Sequence, residues 1–102
     1  LDPRPTAIIT YNDAQAIGVI KGLQEAGLRV PDDVSVVGFD DIAVAALFEP
    51  ALTTVAQPID DIGRLGAEML IRRIRGEIGD QSAVVLPSRL MIRESTRPLD
   101  GA

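Results

Sequence analysis

The chain has 102 residues, 46% apolar and 25% charged, with a net charge of −5. This fits one small globular domain at most and argues against disorder and against non-specific binding to a phosphate backbone. It contains neither cysteine nor histidine, which excludes a disulfide framework, a thiol nucleophile, thiolate metal sites and the commonest general base.

The longest uninterrupted apolar run, Ile42 to Phe48, is far shorter than the ~20 residues a membrane-spanning helix needs. Only three aromatic residues are present, so the core must be built from Val, Ile, Leu and Ala. Any enzymatic chemistry would have to run on carboxylates, hydroxyls and the single lysine, Lys21. The start, "LDPRPTAII", has neither an initiating Met nor a signal-like region and reads as an internal cut.

In chain order, the β-branched run Thr6–Thr10 is expected to be a buried strand. The period then changes. Ala16, Val19, Ile20, Leu23 and Ala26 fall on one helical stripe with Lys21 and Glu25 opposite. Asn12 or Asp13 can cap this helix, Asn12 with Gln15 matches a capping box, and Gly27 suits its end. After the loop "RVPDD", "VSVVGF" (34–39) reads as a second buried strand. Strand, helix and strand make a βαβ unit with parallel strands.

"DIAVAALFEPAL" carries a short helix stopped by Pro50, and "TTVAQ" (53–57) is a third strand ended by Pro58. A long helix, "IDDIGRLGAEMLIRRIRG", runs to Gly76. Asp61, Arg64, Glu68, Arg72 and Arg75 occupy a narrow polar sector of it. Ile62, Leu65, Gly66, Met69, Leu70 and Ile74 fill an apolar arc that Ala67 and Ile71 widen further. So broad an arc exceeds the stripe that covers one face of a sheet and calls for a second packing partner. "GDQS" reads as a turn, "AVVLP" and "RLMIRES" as two strands, and "TRPLDGA" as a frayed tail.

Three strands end in polar residues: Thr10 before Tyr11-Asn12-Asp13, Phe39 before Asp40-Asp41, and Val55-Ala56 before Gln57. Open parallel sheets bind ligands outside the carboxyl ends of their strands. Asn12, Asp40 and Gln57 are therefore candidates for one rim, where two amides and a carboxylate suit a polyhydroxylated or heterocyclic ligand. Plainer roles stand beside these. Helix capping is the commoner use of Asn and Asp at such positions, and Asp40-Asp41 also fits a solvated turn. The arginines of "IRRIRG" read as a solvated helix face pairing with Glu68 and Glu77. The run "AVAALF" fits either core or a subunit contact.

Several strings resemble the C-terminal part of LacI/GalR-family transcriptional repressors. They are "ND" at Asn12-Asp13, G-x-x-V-P-x-D-x-S-V-V-G-F-D-D from Gly27 to Asp41, P-x-L-T-T-V-x-Q-P from Pro50 to Pro58, and "LMIRES" from Leu90 to Ser95. The resemblance implies an α/β, parallel-sheet, three-layer lobe of a periplasmic-binding-protein-like (type I) fold, incomplete here. Residues 1–58 would be most of the C-terminal lobe. Residues 59–88 would be a crossover segment whose long helix belongs to the other lobe, and residues 89–102 a returning strand and tail.

By motif, Asn12, Asp40 and Gln57 match effector-contacting positions, and Asp13 and Asp41 match positions of structural or capping role. Tyr11 stands where a smaller residue is common, so it is expected to narrow the pocket or stack on a ligand ring. The implied protein is cytoplasmic and not an enzyme, with no cofactor and no bound metal. It binds a carbohydrate or purine-like effector between lobes, and reaches operator DNA only through a helix-turn-helix outside this chain. No membrane contact is expected. The chain is expected to form a homodimer or larger assembly through the 16–25 helix and the 43–48 run.

Two other readings compete. A periplasmic sugar-binding protein of an uptake system would share the fold and cleft. A carboxylate-based Mg²⁺ enzyme or phospho-acceptor domain would use Asp13, Asp40 and Asp41, but the chain has no phosphate-cradling glycine loop and its lysine lies in mid-helix.

Overall fold

The computed structural model describes residues 2–79 and 82–100. The expected turn at "GDQS" and the last two residues of the expected tail fall partly or wholly outside them. The chain divides into two compact units: Leu1–Ala56 with Arg89–Ala102, and Gln57–Ser88.

The first unit is a sheet with one long helix. Strand β1 (Ala7–Ile9) is followed by α1 (Asp13–Glu25), β2 (Ser35–Val37), a 3-10 turn at Ala43–Ala46, β3 (Thr54–Ala56) and, after the second unit, β4 (Arg89–Met91). β1 runs parallel to β2, with Ala7, Ile8 and Ile9 opposite Ser35, Val36 and Val37. Two further parallel bridges, Val37 to Thr53 and Asp40 to Ala56, carry the ladder from β2 to β3. β4 closes on β3 antiparallel, pairing Thr54 with Met91 and Ala56 with Arg89.

The stripe of α1 meets this sheet as its period requires. Ala16 and Ile20 are fully buried with Val36, Ala45 and Leu52, and Val19, Leu23, Val30 and Phe48 pack around them. Removing an Ile or Leu side chain of this kind from water contributes about 1.5–3 kcal/mol. Ala26 lies outside the core because it is the C-cap of α1.

The end of α1 is set by chemistry. Gly27 adopts φ +81, its N–H donates to the Gln24 carbonyl at 3.0 Å, and the Leu28 N–H donates to the Leu23 carbonyl at 2.9 Å. This is the Schellman pattern, in which a left-handed glycine satisfies two orphan carbonyls.

Three expectations need correction. β1 is not buried: Ala7 and Ile9, which share one face of the strand, are exposed, Ile9 by 82%, and only Ile8 on the other face is half-buried. "AVVLP" forms no strand, and Val85 is 93% exposed; a strand exists at this end only where β3 offers a ladder partner, at Arg89–Met91. Thr96 and Arg97, expected in a frayed tail, are tied down. Thr96 Oγ1 lies 2.9 Å from Thr53 Oγ1, and the Arg97 N–H donates to Ser35 Oγ at 3.2 Å.

The second unit is α2 (Ile59–Ile74) and the chain after it. It too ends on a Schellman motif, with Gly76 at φ +75, the Gly76 N–H on the Arg73 carbonyl at 3.0 Å and the Glu77 N–H on the Arg72 carbonyl at 2.9 Å. Its polar sector pairs internally: Arg64 reaches Asp61 at 3.1 Å and Glu68 at 3.4 Å, and Arg72 reaches Glu77 at 3.5 Å. No residue of α2 is buried. Ile62, Leu65, Gly66 and Met69 line a shallow groove with Val84 and Leu86. Among the described residues, no helix is long and apolar enough to cross a membrane.

Candidate ligand-binding rim

The carboxyl ends of β1 and β2 are stitched together. The Thr10 N–H donates to the Val37 carbonyl at 2.9 Å, and the Asp13 N–H donates to the Phe39 carbonyl at 3.0 Å. The hydroxyl of Thr10 lies within bonding reach of both the Asn12 and Val37 carbonyls. Asn12 and Asp40 thus both flank a direct backbone link between the two strand ends. The structure brings the first two rim candidates to one place.

Asn12 is the N-cap of α1 and its Oδ1 accepts from the Gln15 N–H at 2.8 Å. Gln15 answers with its own Oε1, which accepts from the Tyr11 N–H at 3.0 Å. This is the capping-box exchange moved back by one residue on the return leg. Capping and ligand contact are compatible in one amide, since the cap uses the oxygen and the two N–H donors are separate groups. Tyr11 itself is 81% exposed.

Asp40 follows β2 with φ +113, and Asp41 follows with φ +56. Two successive non-glycine residues in this region are uncommon; each costs on the order of 1–3 kcal/mol and persists only where the surroundings fix it. They are fixed here. The Gly38 N–H donates to the Thr53 carbonyl and the Asp40 N–H to the Val55 carbonyl, both at 2.9 Å. The Asp41 N–H reaches Thr54 Oγ1 at 3.3 Å, and the Asp41 carboxylate pairs with Arg93 at 2.8 Å.

Asp13 lies beneath this loop, fully buried. Its Oδ1 accepts from the Thr54 hydroxyl at 2.6 Å and its Oδ2 from the Ile42 N–H at 2.8 Å. Buried carboxylates require such partners, because an unpaired one carries the full desolvation cost. Asp13 and Asp41 are therefore committed to internal partners. Among the described residues no three acidic side chains gather as a metal site.

Gln57 is the residue after Ala56, the partner of Asp40 in the last parallel bridge. It opens the second unit and lines an open depression there with Pro58 to Asp61.

The supporting residues were the ones sequence reasoning passed over. Thr54, Arg93 and Ser95 stand inside the quoted strings, yet nothing in their spacing announced what they hold. Arg93 bonds the Leu52 carbonyl at 3.0 Å as well as Asp41. Ser95, fully buried, donates to the Val36 carbonyl at 2.6 Å and accepts from the Thr53 N–H at 2.8 Å. The available signal was small hydroxyl residues within apolar strand segments, which must find a polar partner if buried.

Parallel strands β1 to β3 packed against one long helix, with polar residues following the strands' carboxyl ends, make an α/β lobe. The family described as "Periplasmic binding protein-like domain" matches residues 1–96. Catabolite control protein A of Priestia megaterium is 42% identical over 96 residues, which cover 94% of this chain and 29% of that protein. The structure of the transcriptional regulator CelR in complex with cellobiose superposes with a TM-score of 0.86 at 41% identity, over 91% of this chain and 28% of that one. The Lac repressor dimer bound to operator and the anti-inducer ONPF gives a TM-score of 0.84 at 35% identity, over 90% and 32% of the two chains. The chain belongs to the periplasmic-binding-protein-like domain family, in the form carried by LacI/GalR-type regulators. It spans about 29% of the length of the first curated relatives it matches.

Proposed function

We propose that this chain is the effector-contacting part of a ligand-responsive transcriptional repressor, acting in the cytoplasm and carrying no catalytic chemistry. Asp40 accepts hydrogen bonds from ligand hydroxyls or ring N–H groups, the amides of Asn12 and Gln57 supply donors and acceptors, and the Tyr11 ring narrows the site or stacks on the ligand. The observation that carries this reading is Asp40, held at φ +113 directly beside the α1 N-cap at the sheet's carboxyl edge. Strained non-glycine backbone of this kind concentrates at ligand clamps. CelR bound to cellobiose supports a carbohydrate as the first class to test, with a purine-like ligand second.

The site is closed by a second lobe of the family fold, and the effector acts by binding one lobe arrangement more tightly than another. That difference reaches operator DNA through a helix-turn-helix domain of the longer protein. The outward faces of the 16–25 helix and the 43–48 run form the self-association surface, a reading supported by the exposure of Val44 and Leu47. Sedimentation should show a dimer or larger species, and a clean monomer at high concentration would refute this.

Thermal melting against cellobiose, other sugars, nucleosides and purine bases, with Mg²⁺ and EDTA controls, tests the function. One ligand class should raise the midpoint, and Asp40→Ala should abolish the shift. A panel that moves neither this chain nor a two-lobe form of the protein would overturn the reading.

A further inference from the structure

The buried Asp13 carboxylate holds the Asp40 loop from beneath through two partners, the Ile42 N–H and the Thr54 hydroxyl. The Thr54 hydroxyl has one proton, which goes to Asp13 Oδ1 at 2.6 Å. Its lone pairs are thereby turned outward, and one accepts the Asp41 N–H at 3.3 Å. The result is a directed chain, Asp41 N–H to Thr54 hydroxyl to Asp13 carboxylate, whose polarity is set at the buried charge.

The other carboxylate oxygen takes the Ile42 N–H at 2.8 Å, so Asp13 fixes the chain after the two left-handed residues. Gly38 fixes it before them. A Cβ at Gly38 would collide with Asp13 Oδ1, so the loop passes this close to the carboxylate only because residue 38 has no side chain.

We propose that Asp13 and Thr54 are positioning residues that set the left-handed backbone of Asp40 and Asp41 and so aim the Asp40 carboxylate at the effector. The proposal deepens the reading of Asp40 as a ligand contact and rests on it. Without the Thr54 hydroxyl, the Asp41 N–H loses its acceptor, and the two residues relax toward ordinary negative φ. The loop then presents a carboxylate in a different direction, although the hydrophobic core beneath is unchanged.

The test is NMR of this chain in Thr54→Val, Thr54→Ser and Asp13→Asn, using backbone couplings that report the sign of φ at Asp40 and Asp41. Thr54→Val should lose the positive-φ signature at both residues while the amide shifts of Ala16–Ile20 stay in place. Thr54→Ser, which keeps donor and acceptor, should restore the signature. Asp13→Asn keeps one acceptor oxygen where two donors, the Ile42 N–H and the Thr54 hydroxyl, need one each. Its NH2 group faces one of them and breaks the directed chain, so it should lose the signature too, and this variant decides the matter if Thr54→Val does not fold. Retention of positive φ in Thr54→Val or in Asp13→Asn would overturn the proposal, as would failure of Thr54→Ser to restore it. These couplings need no ligand. A chain that shows them but binds no sugar or purine would refute the effector reading and leave the positioning intact.

Discussion

The two units treat similar apolar sequence in opposite ways. In the first, α1 buries Ala16 and Ile20 against Val36 and Leu52, and the polar groups beneath are paired. Asp13, Ser35, Thr53, Thr54 and Ser95 are all buried, and among the described residues no buried side-chain polar atom lacks a partner. In the second, α2 is longer and more strongly patterned yet has no fully buried residue: Leu65 and Met69 are half-buried, and Ile59, Leu70 and Ile74 are exposed. An apolar arc states that a surface needs covering. It does not state by what, and a chain of this length completes one core only.

That contrast can be broken by substitution. Leu52→Ala should destabilise the first unit by about 2–5 kcal/mol, the usual cost of emptying a packed Leu site. Leu70→Ala on α2 should cost less than about 0.5 kcal/mol, as surface changes do. Urea denaturation of both variants checks the pair, and equal losses would mean that α2 is as well packed in solution as α1.

Ser95→Ala tests the polar half of the same core. It strips the Thr53 N–H and the Val36 carbonyl of a partner, and should cost about 1–3 kcal/mol. A melt unchanged from wild type would show that water replaces the hydroxyl.

The helix ends sharpen the comparison from the other side, because both close on the same motif. Gly27→Ala and Gly76→Ala each force a Cβ into positive φ and should each lose about 1 kcal/mol of local helix stability. In the first unit that loss should lower the global melting temperature. In the second it should appear only as faster amide exchange near Arg72 to Glu77.

The smallest expected effect is electrostatic. The Arg29 backbone N–H, then the Arg29 side chain, hold the Asp33 carboxyl below its ordinary value. A carboxyl lowered in the fold stabilises above the unfolded value, and that contribution is lost as pH falls through the folded one. The melting difference between wild type and Asp33→Asn should therefore be small and constant at neutral pH and vanish in acid. Added salt should shrink the Coulombic part of it, because the Arg29 side chain is largely exposed.

Much of the fold was legible because it rests on local rules. The period of α1, the Asn12–Gln15 cap and the glycines that end both helices are written in adjacent residues, and the βαβ order followed from them. The rim was legible as a pattern of strand ends, which placed Asn12 and Asp40 on one edge. The supporting shell was not. Thr54, Arg93 and Ser95 act across separations of about forty or more residues, and no periodicity links a threonine in β3 to a carboxylate at the start of α1. The strand expected at "AVVLP" failed for a related reason, since β structure needs a partner edge that composition does not provide.

The sequence by itself determined where the chain turns helical, where it stops, which stripe of α1 is buried, and that carboxylate and amide groups sit after the strands. Tertiary structure alone decided that Asp13 is buried beneath the loop, that Asp40 and Asp41 take left-handed backbone, and that β1 lies half-exposed at an edge. The first set depends on neighbours within about one helical turn. The second depends on which distant groups meet a buried charge or an open ladder edge, and those meetings exist only once the sheet has formed.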